Sequence, residues 1–119
     1  MKSPIALLLT ASLALSIGAA ETNAPAKPDL AKGQTLSTQV CGACHTADGS
    51  RGSPANPIIA GQHPEYLAKQ LGEFKSGKRN NPIMKGFAST LSDSDMRDVS
   101  AFYAGKQVKP GFAKNKELY

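Results

Sequence analysis

The sequence predicts a small all-α chain whose helices wrap around something that is not protein. Three stretches place apolar residues at spacings of three and four, each with a recognisable start or stop. No run alternates long enough to make a convincing strand. Between the helices the chain is dense in Gly, Ser, Asn and Pro, and loops of that length in so short a chain are expected where they enclose a ligand.

Taken in order, the first twenty residues read as a signal peptide. Lys2 supplies the positive start, Ile5 to Ile17 an apolar stretch broken only by Thr10, Ser12 and Ser16, and Gly18-Ala19-Ala20 the small residues of a cleavage site. The apolar run is too short for the ~20 residues of a membrane span. Cleavage after Ala20 would leave an exported, periplasmic chain. Residues 21–28 form a flexible leader rich in small residues and proline. Residues 29–108 make the folded domain, and 109–119 a tail.

Asp29 caps a first helix running to about Gln39, with Leu30, Gly33, Leu36 and Val40 on one side. Glycine is costly inside a helix, so Gly33 calls for a close crossing by another element. Thr46 to Pro57 reads as an enclosing loop. Pro64 suits the first turn of a second helix carrying Tyr66, Leu67, Gln70, Leu71 and Phe74, which ends at Ser76-Gly77. Lys78 to Pro82 is a turn that leads to Ile83 and Met84 on a loop. The last helix starts at a capping box, Ser92-Asp93-Ser94-Asp95, carries Met96, Val99, Phe102 and Tyr103 on its apolar face, and stops at Gly105.

Fourteen basic against nine acidic residues give a formal net charge of +5. Lys75, Lys78, Arg79 and Lys85 fall in one stretch, a patch suited to steering an acidic protein partner. The basic residues are not interleaved with a stacking platform, which argues against nucleic acid.

The most specific chemistry lies in Cys41-Gly42-Ala43-Cys44-His45, which holds both cysteines of the chain. This is the C-x-x-C-H pattern of covalent haem attachment. Two thiols three positions apart can each form a thioether to one vinyl group on a porphyrin edge, and the adjacent His45 can offer its imidazole to the iron. A dithiol redox centre would need a βαβ setting that is absent. A zinc site could draw on Cys41, Cys44, His45 and His63, but adjacent Cys44 and His45 would both have to bind. A Cys41–Cys44 disulfide would close a tiny loop and add little. One covalently attached haem c is the reading that uses every part of the motif.

For the opposite face of the iron, Met84 and Met96 are the methionines beyond Met1. Met96 belongs to the apolar face of the last helix, where methionine is core filler. Met84 sits between Pro82 and Gly86 with chain enough to reach the iron, and a methionine ligand suits electron transfer. His63, just before Pro64, is the rival ligand. Two axial ligands leave iron no open position, and no paired carboxylates or nucleophile–base pair adds catalysis. The expectation is an electron-transfer protein and not an enzyme.

The chain resembles the class I cytochromes c, and most of all one half of the two-haem cytochromes c of the bacterial periplasm. The resemblance rests on Cys41 to His45, Pro57-Ile58-Ile59-Ala60-Gly61-Gln62, and the run from Tyr66-Leu67 through Gln70-Leu71 and Phe74 to Gly77 and Arg79. Asn81-Pro82-Ile83-Met84 and Leu91-Ser92-Asp93 complete it. It implies a haem-wrapping bundle whose first and last helices cross, with Gly33 close to the Phe102/Tyr103 face. It also implies that the Pro57 carbonyl accepts the imidazole N–H of His45, and that Gln62 and Arg79 serve the haem pocket. The family's two-haem members continue into a second C-x-x-C-H domain, where this sequence has a linker-like tail.

The expected function is that of a periplasmic mono-haem cytochrome c, carrying single electrons between respiratory donors and acceptors, with membrane respiratory complexes or another haem subunit as partners. The alternatives are a haem subunit of a larger oxidoreductase complex, and a haem sensor or peroxidase with an open iron site.

Overall fold

The computed structural model describes residues 26–108; the expected signal peptide, most of the expected leader and the expected tail lie outside them. Five α-helices follow in order: α1 (Leu30–Leu36), α2 (Gly42–His45), α3 (Pro64–Ser76), α4 (Pro82–Ser89) and α5 (Asp93–Ala104). The described residues contain no strand, so the all-α expectation holds. None of these helices is long and apolar enough to cross a membrane.

Asp29 starts α1 as expected, its carboxylate accepting from the amides of Ala31 and Lys32 at 3.0 Å each. The helix does not stop near Gln39. It passes through a π-helical turn, Ser37–Cys41, straight into α2, so the C-x-x-C-H motif closes a continuous helix. The π turn opens the spiral at Ser37, which is fully buried and donates its hydroxyl to the Ala47 carbonyl at 2.7 Å.

α1 crosses α5 at Gly33. A Cβ on Gly33 would lie 2.3 Å from the Asp98 carbonyl oxygen and 2.8 Å from the Phe102 Cβ. The close approach is therefore to Asp98 and Phe102, while Tyr103 points the other way, into the domain. The Asp29 amide donates to the Asp98 carboxylate at 2.9 Å, and Lys32 pairs with Asp95 at 2.7 Å, stitching the crossing at its edge.

Pro64 opens α3 and Gly77 closes it in the left-handed conformation, φ 83°. α4 is a departure from expectation, because the segment read as a loop around Met84 is an eight-residue helix. Asn81 caps it, accepting from the Met84 amide at 3.0 Å, and Pro82 takes the first position. α5 begins at the expected box, Ser92 hydroxyl to Asp95 amide at 3.1 Å and Asp95 carboxylate to Ser92 amide at 2.8 Å. Gly105 ends it with a right-handed φ of −76°. Met96, Val99 and Tyr103 of α5 join Phe74, Ala88 and Leu91 in the core.

Candidate functional site

A cavity of about 520 Å³ opens between α2, α3, α4 and α5. Its size falls in the ~300–1,000 Å³ range of ligand pockets. Cys41, Cys44 and His45 line one side, delivered by the end of the long first helix. Met84, from α4, lines it as well. His63 and Met96 do not: His63 is exposed at the cap of α3, and Met96 is buried within the α5 core. The four residues expected at the haem thus meet around one space, and their two rivals stand outside it.

The loop after α2 satisfies the carbonyls that a helix end leaves open. Cys44 accepts from the Gly52 amide at 2.9 Å and the Asn56 side-chain amide at 2.8 Å, and His45 from the Arg51 amide at 3.1 Å. The buried His45 ring places Nδ1 3.1 Å from the Pro57 carbonyl, so Nδ1 carries the proton and Nε2 is left for a metal. Burial pushes the Cys41 thiol up, offset in part by the nearby Tyr103 side chain. Neither cysteine is bridged. Among the described residues no group of three or more His, Cys, Asp or Glu side chains could hold a metal, which removes the four-ligand zinc arrangement.

The walls suit a flat apolar body. Of six exposed large hydrophobic residues among the described residues, Ile58, Tyr66, Ile83 and Phe87 all line this cavity. Large apolar surface gathered in one cleft marks a ligand site, whereas scattered single residues would not. Ser100 also lines the cavity, and its buried hydroxyl has no hydrogen-bond partner among the described residues. Gln62 and Arg79 reach the cavity too; Arg79 lies 4.6 Å over the Phe74 ring and donates to Gln70. These residues fit a haem, which supplies one-electron chemistry at its iron when bound.

The helical setting of Met84 was missed in the sequence, although Asn81-Pro82 is a helix-start signal. Tyr103 was read only as part of an apolar face. Its hydroxyl donates to the Thr46 carbonyl at 3.2 Å, and burial pushes its phenol well above the ordinary range.

Comparison with known proteins places this geometry. The cytochrome c family model matches residues 30–104. Cytochrome c4 of Pseudomonas aeruginosa is 42% identical over 105 residues, covering 88% of this chain and 51% of that protein. The crystal structure of reduced recombinant cytochrome c4 from Pseudomonas stutzeri superposes with a TM-score of 0.64 at 35% identity, covering 70% of this chain and 48% of that one. Thiosulfate dehydrogenase from Marichromatium purpuratum, in its as-isolated form, superposes with a TM-score of 0.63 at 32% identity, covering 67% of this chain and 19% of that one. The chain spans about half the length of the cytochrome c4 it matches. It belongs to the class I cytochromes c, and its paired cysteines are those of one covalently attached haem c.

Proposed function

We propose that residues 29–108 form a haem domain in which Cys41 and Cys44 would carry the thioether links, and His45 and Met84 would ligate the iron. The protein shuttles single electrons in the periplasm between a respiratory donor and a terminal acceptor. The observation that carries this reading is the convergence of Cys41, Cys44, His45 and Met84 on one apolar cavity. With His45 and Met84 as its ligands, the iron would have little room for substrate. Tuning the iron and presenting the haem to partners is then the protein's task.

Within the basic stretch, Lys75 donates to the Leu91 carbonyl at 2.5 Å and Arg79 is engaged with Gln70 and Phe74. Lys78 and Lys85 stand exposed, so they are the residues left to steer an acidic partner.

Visible spectra with and without dithionite test the reading. A far-red sulfur-to-iron band in the oxidised protein, and pigment that survives acidified acetone, are expected. Loss of the pigment to acetone, or ready binding of carbon monoxide by the wild type, overturns it; the latter result favours a sensor or peroxidase. Periplasmic residence predicts pigment in the osmotic-shock fraction and a mature N-terminus at Glu21.

A second reading has its own support. The likeness to a portion of thiosulfate dehydrogenase favours a haem subunit that passes electrons from a neighbouring catalytic chain. Co-purification at fixed stoichiometry supports that role, and a monodisperse small monomer supports the free carrier.

A further inference from the structure

Thr46 follows His45 directly and holds a backbone conformation that belongs to glycine, φ 64° and ψ 156°. A β-branched residue persists there only when its surroundings over-determine it. They do so here. The Thr46 amide donates to the Gly42 carbonyl at 3.0 Å. Its hydroxyl donates to Asp48 Oδ1 at 2.7 Å and accepts from the Ser50 amide at 3.0 Å. Its carbonyl accepts from the Gly49 amide at 3.1 Å and from the Tyr103 hydroxyl at 3.2 Å.

The partners are themselves pinned. Asp48 Oδ1 also takes the Ser50 hydroxyl at 2.7 Å and the Ser50 amide at 3.1 Å. Tyr103 is 2% exposed and its carbonyl accepts from the Gly61 amide at 2.9 Å. Its ring leaves no space at Gly49, where a Cβ would come within 2.8 Å. A contact from 57 positions along the chain thus fixes the residue next to the axial histidine.

The imidazole of His45 has two determinants. The Pro57 carbonyl accepts from the ring at Nδ1, and Thr46 caps the helix whose last residue carries that ring. We propose that Thr46, held in its strained conformation by Asp48, Ser50 and Tyr103, is a positioning residue that keeps the His45 imidazole aligned with the Pro57 carbonyl, and thereby sets the potential of the iron. This rests on the ligation by His45 proposed above. An aligned imidazole receives the carbonyl's full influence and is a more basic ligand, which favours oxidised iron. Release of Thr46 weakens that alignment and favours the reduced state.

The test uses purified holoprotein and three variants: Tyr103→Phe, which removes one hydroxyl and keeps the ring; Thr46→Ala, which removes the hydroxyl lock; and Lys32→Ala, which removes the ion pair at the helix crossing. Redox titration gives the potential, electron paramagnetic resonance of the oxidised protein reports the axial histidine, and thermal unfolding reports stability. Tyr103→Phe and Thr46→Ala are expected to raise the reduced-to-oxidised ratio at a fixed solution potential by about tenfold, the lower end of effects seen when an outer partner of a metal ligand is lost. Both should shift the resonance in the same sense, while Lys32→Ala alters only the melting temperature. Melting changes without a change in potential or resonance overturn the proposal. So does a shift confined to one of the two variants, because the Tyr103–Thr46 contact would then not be the route. Should Thr46→Ala yield no holoprotein, Asp48→Asn takes its place with the same two outcomes. A wild-type protein without an imidazole-ligated resonance sinks the ligand assignment itself, a distinct result.

Discussion

Gly33 and Asp98 meet where no side chain fits: a Cβ on Gly33 would sit 2.3 Å from the Asp98 carbonyl oxygen. The obstruction is backbone, which cannot swing aside as a side-chain tip can. The Asp29 amide on the Asp98 carboxylate then ties the start of α1 to the same turn of α5. Gly33→Ala is expected to push α1 off α5 and to destabilise the protein by about 1–3 kcal/mol or more, the range for forced overpacking. Chemical denaturation of holoprotein measures it. A variant of unchanged stability would mean that the crossing yields easily.

Asn81 should matter more to the haem than its exposed position suggests. Its side chain caps α4 through the Met84 amide at 3.0 Å. Asn81→Ala is expected to cost about 1 kcal/mol, as loss of an N-cap does. Because the fraying falls on the turn bearing Met84, external imidazole or cyanide should enter the iron site about fivefold more readily, the ratio that such an energy represents. Ligand titration at constant pH gives the number.

Exchange of the sulfur ligand offers a sharper result. Met84→His should keep the iron six-coordinate, abolish the far-red band and lower the reduction potential, since methionine raises it relative to histidine. Met96→Leu, a change of similar volume in the α5 core, should leave spectrum and potential alone and cost less than about 1.5 kcal/mol. Reversed outcomes would transfer the ligand role to Met96.

Acid should loosen the α1–α5 edge in a defined window. Hydrogen bonding to Lys32, followed by that to the Ser92 amide and hydroxyl, lowers the Asp95 carboxyl from 3.8 to about 2. A carboxyl depressed on folding stabilises the fold fully above its unfolded value, and the contribution fades as pH falls through the folded one. Stability of wild type should therefore exceed that of Asp95→Asn at pH 7, with the gap closing between about pH 4 and pH 2. Solvent and salt screen this exposed pair, so raising ionic strength at pH 7 should shrink the same gap.

The helices that announced themselves did so through chemistry local to their ends. Pro64 with Gly77, and Ser92 with Asp95, mark α3 and α5 because caps and stops are short-range signals. α4 was hidden: eight residues give little periodicity, and Pro82, read as the end of a turn leading to a loop, in fact opens a helix under the Asn81 cap. The π turn at Ser37–Cys41 leaves no mark in residue types, because it depends on Ser37 reaching the Ala47 carbonyl. At the site, the spacing of Cys41, Cys44 and His45 already implied that the three would face one space, as the shared cavity has them do. The conformation of Thr46 was not legible, as one of its hydrogen-bond partners, Tyr103, comes from the far end of the domain.

The cleft where Ile58, Tyr66, Ile83 and Phe87 gather also bears on the order of assembly. Ile83 is 68% exposed and Phe87 42% exposed, an arrangement that water does not favour without a greasy disc between them. Compaction of this chain therefore belongs after attachment, and a newly made polypeptide awaiting its pigment would present sticky surface to proteases and chaperones. Supply of the cofactor, more than the helices' own preferences, would then govern how much protein survives in the cell.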